Sequence, residues 1–271
     1  MKKTLIFTAI IGLLVVVAYV YFEQIGRLNP TVNETFITSS HVPVSFSGTR
    51  IVQVSDLLIR SESCLTLLEN TAHAVNRLDP DLIIFTGNLL LPEGLIFEQQ
   101  IIDLLGTFES NVAQIVVFGS HDMISDSHFE RVQALFETAG FMDLTNDSIE
   151  IFNQAYEGIN LIGGAPGLDA EGLESLLSSH LNDDRFNLLL LNDPTFSAIS
   201  ASLGVDLQLS GYCLGSQDAS SEEAACFQFY HGIYQFTDQI TLNVSAGLAR
   251  FHNISGFRRQ PTIDSFLLIR N

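Results

Sequence analysis

The chain has 271 residues, 46% apolar, 10% aromatic and 16% charged, with 12 basic against 31 acidic side chains. That apolar fraction excludes disorder, which needs low hydrophobicity and high charge density. Beyond residue 30, nine arginines face thirty acids, a balance near −21, which argues against nucleic-acid partners and against docking on anionic lipid.

Lys2 and Lys3 precede an uncharged run of nineteen residues, Thr4 to Phe22, closed by Glu23 and Arg27. At about 1.5 Å per helical residue this run nearly spans a hydrocarbon core, and the lysines would stay cytoplasmic, placing the rest of the chain across the membrane. A cleaved signal peptide is the competing reading, with Val16 and Ala18 as a small-residue site, and it gives a secreted or periplasmic domain. Both readings put the domain on the extracytoplasmic side. Residues 1–23 are thus predicted as a membrane anchor, 24–38 as a polar connector containing Pro30, and 39–271 as one domain. Asn33, Asn146, Asn243 and Asn253 head Asn-x-Ser/Thr sequons, which matter only in a glycosylating host.

Short apolar runs then alternate with helical patterns. Val42–Phe46 alternates apolar and polar, and Gly48-Thr49 turns it into Arg50–Asp56, a predicted hairpin leading to a buried strand. Leu65, Leu67, Leu68, Ala72, Val75 and Leu78 repeat with helical spacing up to Pro80. Leu82–Thr86 is a continuous apolar run of the kind covered on both faces. Residues 95–108 read as a helix, 114–118 as a strand and 128–138 as a helix stopped by Gly140. A strand pair is predicted at 148–152 and 159–162. Helix 170–179, strand 187–191, helix 195–203 and strand 206–210 follow. The tail reads as strands at 227–230, 241–245 and 265–269. Such alternation with a strand-rich end predicts α/β layers containing parallel and antiparallel pairs.

In α/β proteins the chemistry sits at the carboxyl ends of the strands. Five successive ends deliver polar or glycine-bearing turns here: Ser55-Asp56, Thr86-Gly-Asn88, Gly119-Ser120-His121-Asp122, Asn192-Asp193-Pro194 and Gly211–Gln217. One composite site built by separate loops is the prediction.

These segments, in order, resemble the calcineurin-like metallophosphoesterase superfamily, in particular its membrane-anchored bacterial branch. Arg50–Asp56 looks like the strand that normally ends in Asp-x-His, and Pro80–Asn88 resembles Pro-Asp-(apolar)-Thr-Gly-Asp. Val117–Asp122 is similar to Gly-Asn-His-Asp/Glu, and Asn192-x-Pro194 to a His-x-Pro turn. Gly211–Gln217 aligns with Gly-His-Thr-His-Gly-Gly-Gln, and Val244–Leu248 with Val-Ser-Arg-Gly-Leu. The resemblance covers about residues 40–270. It implies a layered α/β sandwich of two mixed β-sheets flanked by helices, preceded here by one N-terminal transmembrane helix.

In that family two divalent metals, such as Mn, Fe or Zn, clamp a phosphoryl group and activate water. Carried over by position, Asp56 alone keeps its type among the metal ligands. The other ligand positions hold Leu58, Asn88, Ser120, Asn192, Tyr212 and Leu214. Leu58 and Leu214 carry no lone pair, and an amide at 88 cannot offset two adjacent dications as a bridging carboxylate does. No metal cofactor is therefore expected, with a weak Mg or Ca site on oxygens as the residual alternative. His121 and Asp122 remain where the family keeps a proton donor, and a vestigial general acid without its metal-bound nucleophile supplies little. His41, His73, His128, His180, His231 and His252 show no ligand spacing. Cys213 and Cys226 flank a polar loop and are a candidate disulfide that would lock the segment of the last metal motif. The predicted function is a membrane-anchored, non-catalytic binding or scaffolding domain whose partner is an unknown protein or a small phosphate-bearing ligand. The alternative is an active phosphomonoesterase or phosphodiesterase, with lipid-linked phosphoesters among its possible substrates, using a sparse or rebuilt metal site.

Overall fold

Four apolar residues with no polar interruption make Leu82–Phe85 a strand whose every side chain is buried, and the rest of the sandwich is built around such runs. The computed structural model describes residues 2–20, 26, 28–153, 156–214, 225–237, 240–249 and 260–271. In chain order the elements are α1 (Lys2–Val20), β1 (Thr31–Ser39), β2 (Arg50–Val54), α2 (Glu62–Asn76), β3 (Leu82–Phe85), α3 (Glu98–Leu105) and β4 (Ala113–Val116). There follow α4 (Asp126–Thr138), β5 (Met142–Asp143), β6 (Asp147–Phe152), β7 (Gly158–Gly163), α5 (Ala170–His180), β8 (Phe186–Leu190) and α6 (Ser197–Leu203). The last are β9 (Leu207–Ser210), α7 (Ala225–Gln228), β10 (Gly232–Thr237), β11 (Ile240–Val244) and β12 (Thr262–Arg270).

Two six-stranded mixed sheets result, ordered β1-β12-β2-β3-β4-β5 and β10-β11-β9-β8-β7-β6. Their inner faces interlock through Ile51, Ile84, Phe186, Leu188, Leu209 and Phe266. The first sheet's outer face packs Val52, Ile83 and Phe85 under α2, α3 and α4. There Phe85 meets Phe108, Phe136 and Phe141 edge-on, with ring centroids 5.4, 5.3 and 5.3 Å away, an arrangement worth more than its buried area alone. The second sheet's outer face packs Ile162, Leu189 and Leu191 under α5 and α6. This is a four-layer α/β arrangement. Because β2, β3 and β4 run parallel, as do β7, β8, β9 and β11, their carboxyl ends gather along one edge. Just beneath that edge Gln53 ties the sheets together, donating to Thr86 Oγ1 and the Ser210 carbonyl and accepting from Asn243 Nδ2, each at 2.8 Å.

Three stretches differ from expectation. Residues 31–38, predicted as connector, lie in β1, parallel to β12 with Thr31 opposite Thr262 and Ser39 opposite Arg270. Its β-branched content (Thr31, Val32, Thr35, Ile37, Thr38) suits a half-covered edge strand. Val42–Phe46 is not a strand but holds a 3₁₀ turn at Val44–Phe46 after Pro43, which has no N–H for a ladder; β2 pairs instead with β12 and β3. The predicted strand at 227–230 overlaps the short helix α7, the ambiguity that short apolar runs carry. α1 is helical as expected, and its described apolar side chains, Phe7 and Val15 among them, are exposed. Among the described residues no helix is long and apolar enough to cross a membrane; nineteen residues of α1 reach about 28 Å, just short of a ~30 Å core.

Candidate functional site

Asn88 stands at the centre of the gathered strand ends, 1% exposed. Its carboxamide nitrogen donates to Asp56 Oδ1 at 2.7 Å and to Asn192 Oδ1 at 3.2 Å, while its oxygen accepts from the His121 N–H at 2.9 Å. These neighbours fix its orientation: reversed, oxygen would face two oxygens and the amide would face an N–H. Asn192, also buried, passes its own amide to the Thr86 carbonyl. Asp56 has further donors in Ser55 Oγ at 2.7 Å and the Tyr212 N–H at 3.0 Å. Five separate loops thus close one buried polar cluster on itself.

Asp122 holds the loops in place. Its carboxylate accepts from the N–H groups of Asn88 (2.6 Å), Leu89 (2.8 Å) and Gly119 (2.9 Å), joining the turns after β3 and β4. It does not pair with His121. The imidazole Nδ1 of His121 is instead buried with no hydrogen-bond partner among the described residues. Burial pushes the Asp122 carboxyl up to about 6, against the opposing pull of its three N–H donors, and the nearby Asp56 charge adds to the rise. Burial likewise raises Asp56, against hydrogen bonds from Ser55, Asn88, Tyr212 and Asn192.

The backbone at the site is unusual. Asp56, Leu58, Asn88, Tyr212 and Leu214 take left-handed φ values of 53°, 48°, 61°, 72° and 49°. Asp and Asn tolerate this; each leucine costs roughly 1 kcal/mol and stays only because its surroundings dictate it. Leu58 is 3% exposed. Leu214 is half-buried, and a Cβ built on Gly247 would come 3.2 Å from Leu214 Cδ2 and 2.9 Å from Asp56 Cβ, so leucine and aspartate crowd the same glycine. Ser120 sits on the surface and Tyr212 is half-buried. Cys213, between Tyr212 and Leu214, is joined to Cys226 by a disulfide; by the chain-entropy relation such a loop closure contributes about 3 kcal/mol. Residues 215–217 of the last motif, and Asn253, lie outside the described residues.

Three glycines were not singled out by residue type, yet the cluster needs them. On Gly119 a Cβ would lie 2.2 Å from Asn88 Oδ1 and 2.8 Å from Asn192 Oδ1, and on Gly211 2.4 Å from Asp56 Oδ2; on Gly247 it would lie 2.9 Å from Asp56 Cβ. Gly119→Ala is therefore expected to lower stability by about 1–3 kcal/mol, read from the urea midpoint. An unchanged midpoint would show that the Asn88 carboxamide moves aside freely.

Chemically this set does not fit a pair of adjacent dications. Asn88 turns its NH₂, not an oxygen, toward Asp56 and Asn192, and Leu58 and Leu214 have nothing to donate. Among the described residues no group of three or more His, Cys, Asp or Glu side chains is placed to hold a metal.

The model of the calcineurin-like phosphoesterase family matches residues 49–211, more than half of the chain. The uncharacterized metallophosphoesterase YkuE of Bacillus subtilis is 28% identical over 194 residues, 68% of this chain and 64% of its own. A bovine (Bos taurus) transmembrane protein with metallophosphoesterase domain is 23% identical over 259 residues, 88% of this chain and 58% of its own. The chain thus spans about three fifths of the length of these curated relatives. Among solved structures, GAP50, the anchor in the inner membrane complex of Plasmodium, aligns with a TM-score of 0.48 at 11% identity, covering 78% of this chain and 75% of that one.

Proposed function

This chain belongs to the calcineurin-like phosphoesterase family, and we propose that it is a member whose two-metal site has given way to a self-bonded polar cluster, leaving a domain that binds or scaffolds rather than hydrolyses. The observation that carries this reading is the Asn88 carboxamide, which spends both its donor and acceptor capacity on Asp56, Asn192 and His121. A dication beside Asn88 would meet the positive end of an amide dipole where the family presents a carboxylate. Leu58 and Leu214 fill the space of two imidazoles with hydrocarbon, and His121 is left without a metal-bound nucleophile to protonate against.

The reading extends to placement. The uncharged run after Lys2 and Lys3 supports a membrane tether with the domain on the extracytoplasmic side, and one relative carries a transmembrane protein's name. The acidic body points to a protein partner or a small phosphate-bearing ligand and away from nucleic acid.

Metal content and Mn²⁺-dependent melting of the purified protein test the proposal, with an active family member as control. A ligand at about 1,000 times its dissociation constant stabilises by about 4 kcal/mol, a shift of about 8 °C at this size. The expected result is no bound metal, no shift and no hydrolysis of phosphodiesters. Stoichiometric metal with a clear shift overturns the proposal in favour of a working hydrolase.

A further inference from the structure

The edge of the sandwich opposite the site carries a constellation of its own. Ser45, in the turn between β1 and β2, donates through both its N–H and its hydroxyl to Glu157 Oε2, tying that turn to the one between β6 and β7. The neighbours of these two residues in sequence, Val44 and Tyr156, are 70% and 84% exposed, and Phe152, at the end of β6, is 51% exposed. The Arg185 guanidinium lies over the Phe152 ring, 5.5 Å from its centroid. Beside them opens a cleft of about 270 Å³ whose lining includes His41, Glu157, Asp183, Asp184, Arg185 and Arg270. Arg270 is braced by the carbonyls of Ser40 and Val42, and His41 by Asp206, at 2.8 Å and 3% exposed. Two guanidiniums and three carboxylates around one cleft complement a ligand that carries both signs of charge.

The path of the chain points the same way. The Leu28 carbonyl accepts from Asn70 Nδ2 at 2.7 Å. Asn70 lies in the second half of α2, which runs from the site edge toward the opposite edge. From Leu28 the chain climbs to Thr31, whose N–H meets the Pro261 carbonyl at the site end of β1. Leu28 therefore lies farther from the site edge than Thr31 does. Six residue steps join Val20 to Gly26, a reach of at most about 20 Å, so the end of α1 stays close to the domain.

On the reading that α1 is held in a membrane, we propose that the edge opposite the site lies on the bilayer. Val44, Phe152 and Tyr156 enter the head-group region, where aromatic side chains with a polar end are favoured. The adjoining cleft takes a zwitterionic phospholipid head group, its phosphate at Arg185 and Arg270 and its ammonium at Asp183 and Asp184. The balance near −21 of the body disfavours an anionic surface, which is why the head group must bring its own positive charge. β12, nine residues long, runs between the two edges and sets the site about 26 Å from the lipid, facing away from it.

The test uses the full-length protein with Cys64→Ser and the native disulfide kept. One new cysteine is placed at Tyr156 (Tyr156→Cys) or, on the site edge, at Ile124 (Ile124→Cys), which is 52% exposed. Each is labelled with an environment-sensitive fluorophore, reconstituted into phosphatidylcholine vesicles and quenched by head-group spin labels. The expected result is several-fold stronger quenching at position 156. Stronger quenching at 124, or equal weak quenching at both in vesicles that carry the protein on flotation, overturns the proposal and leaves membrane attachment standing. Failure to float with the vesicles overturns attachment and the proposal together. Exchanging part of the phosphatidylcholine for phosphatidylglycerol at low salt should weaken quenching at 156 several-fold; unchanged or stronger quenching overturns the head-group assignment.

Discussion

Asn88→Asp is expected to destabilise the domain by about 3–5 kcal/mol at pH 7, the scale of an uncompensated buried charge. The substitution is nearly isosteric, so packing is preserved and only the electrostatics change. One new oxygen keeps the bond from the His121 N–H, but the other replaces a donor that lies 2.7 Å from Asp56 Oδ1 and 3.2 Å from Asn192 Oδ1. Two buried carboxylates at that distance cannot both ionise, so the folded pair keeps a proton that the unfolded chain gives up. The folded state then binds more protons than the unfolded state, and the deficit grows as pH rises through the carboxylate range and shrinks on acidification. Urea midpoints of the variant and the parent across that range check both sign and size. In a chain that works with two metals the same change would do the opposite: with Mn²⁺ present it would restore a bridging carboxylate, raise the melting temperature and increase hydrolysis. A variant stabilised by Mn²⁺ would therefore sink the reading of a closed cluster.

The site was more legible in the sequence than the scaffold at its edges. Asp56, Asn88, His121, Asn192 and Tyr212 all follow apolar runs, and a parallel sheet obliges the ends of such runs to meet. What residue types could not reveal was the wiring. His121 and Asp122 are adjacent in sequence, yet Asp122 turns to three backbone N–H groups, one of its own loop and two of the neighbouring one. Backbone donors leave no trace in a sequence. The crowding of Gly119 and Gly211 is likewise invisible, because a glycine against a buried carboxamide and a glycine in a solvent turn are the same letter. Residues 31–38 read as connector on their polar residues and Pro30; the burial of β1, exposed over most of its length and buried only at Ile37 and Ser39, is that of an edge strand whose pattern tertiary pairing completes. The N-terminus is the reverse case: its apolarity is plain in the sequence, whereas the point at which Leu28 meets the domain, through the bond from Asn70, is not.

Asp122 should make the protein lose stability as pH rises through the mildly acidic range. Its carboxyl is raised from the ordinary value of 3.8 to about 6 by burial, the three N–H donors notwithstanding. A group with a folded-state pKa above its unfolded value contributes stability that is complete below about pH 4 and is lost by the time pH has passed about 6. At about 1.36 kcal/mol per unit, that loss is roughly 3 kcal/mol. Exposed carboxylates titrate alike in the folded and unfolded chains, and Asp56 is common to parent and variant, so the cleanest reading is a difference. The stability margin of the parent over Asp122→Asn, from urea unfolding at each pH, should be widest near pH 4 and narrow by about 3 kcal/mol toward neutrality. The variant should be the less stable at acid pH, since one of its side-chain N–H groups faces the N–H of Leu89 or those of Asn88 and Gly119 without an acceptor. A margin that does not vary with pH would mean that the three donors hold Asp122 at an ordinary carboxylate pKa. The turns after β3 and β4 would then be clamped equally well at every pH, and the strain at Asn88 would have no acid-sensitive component.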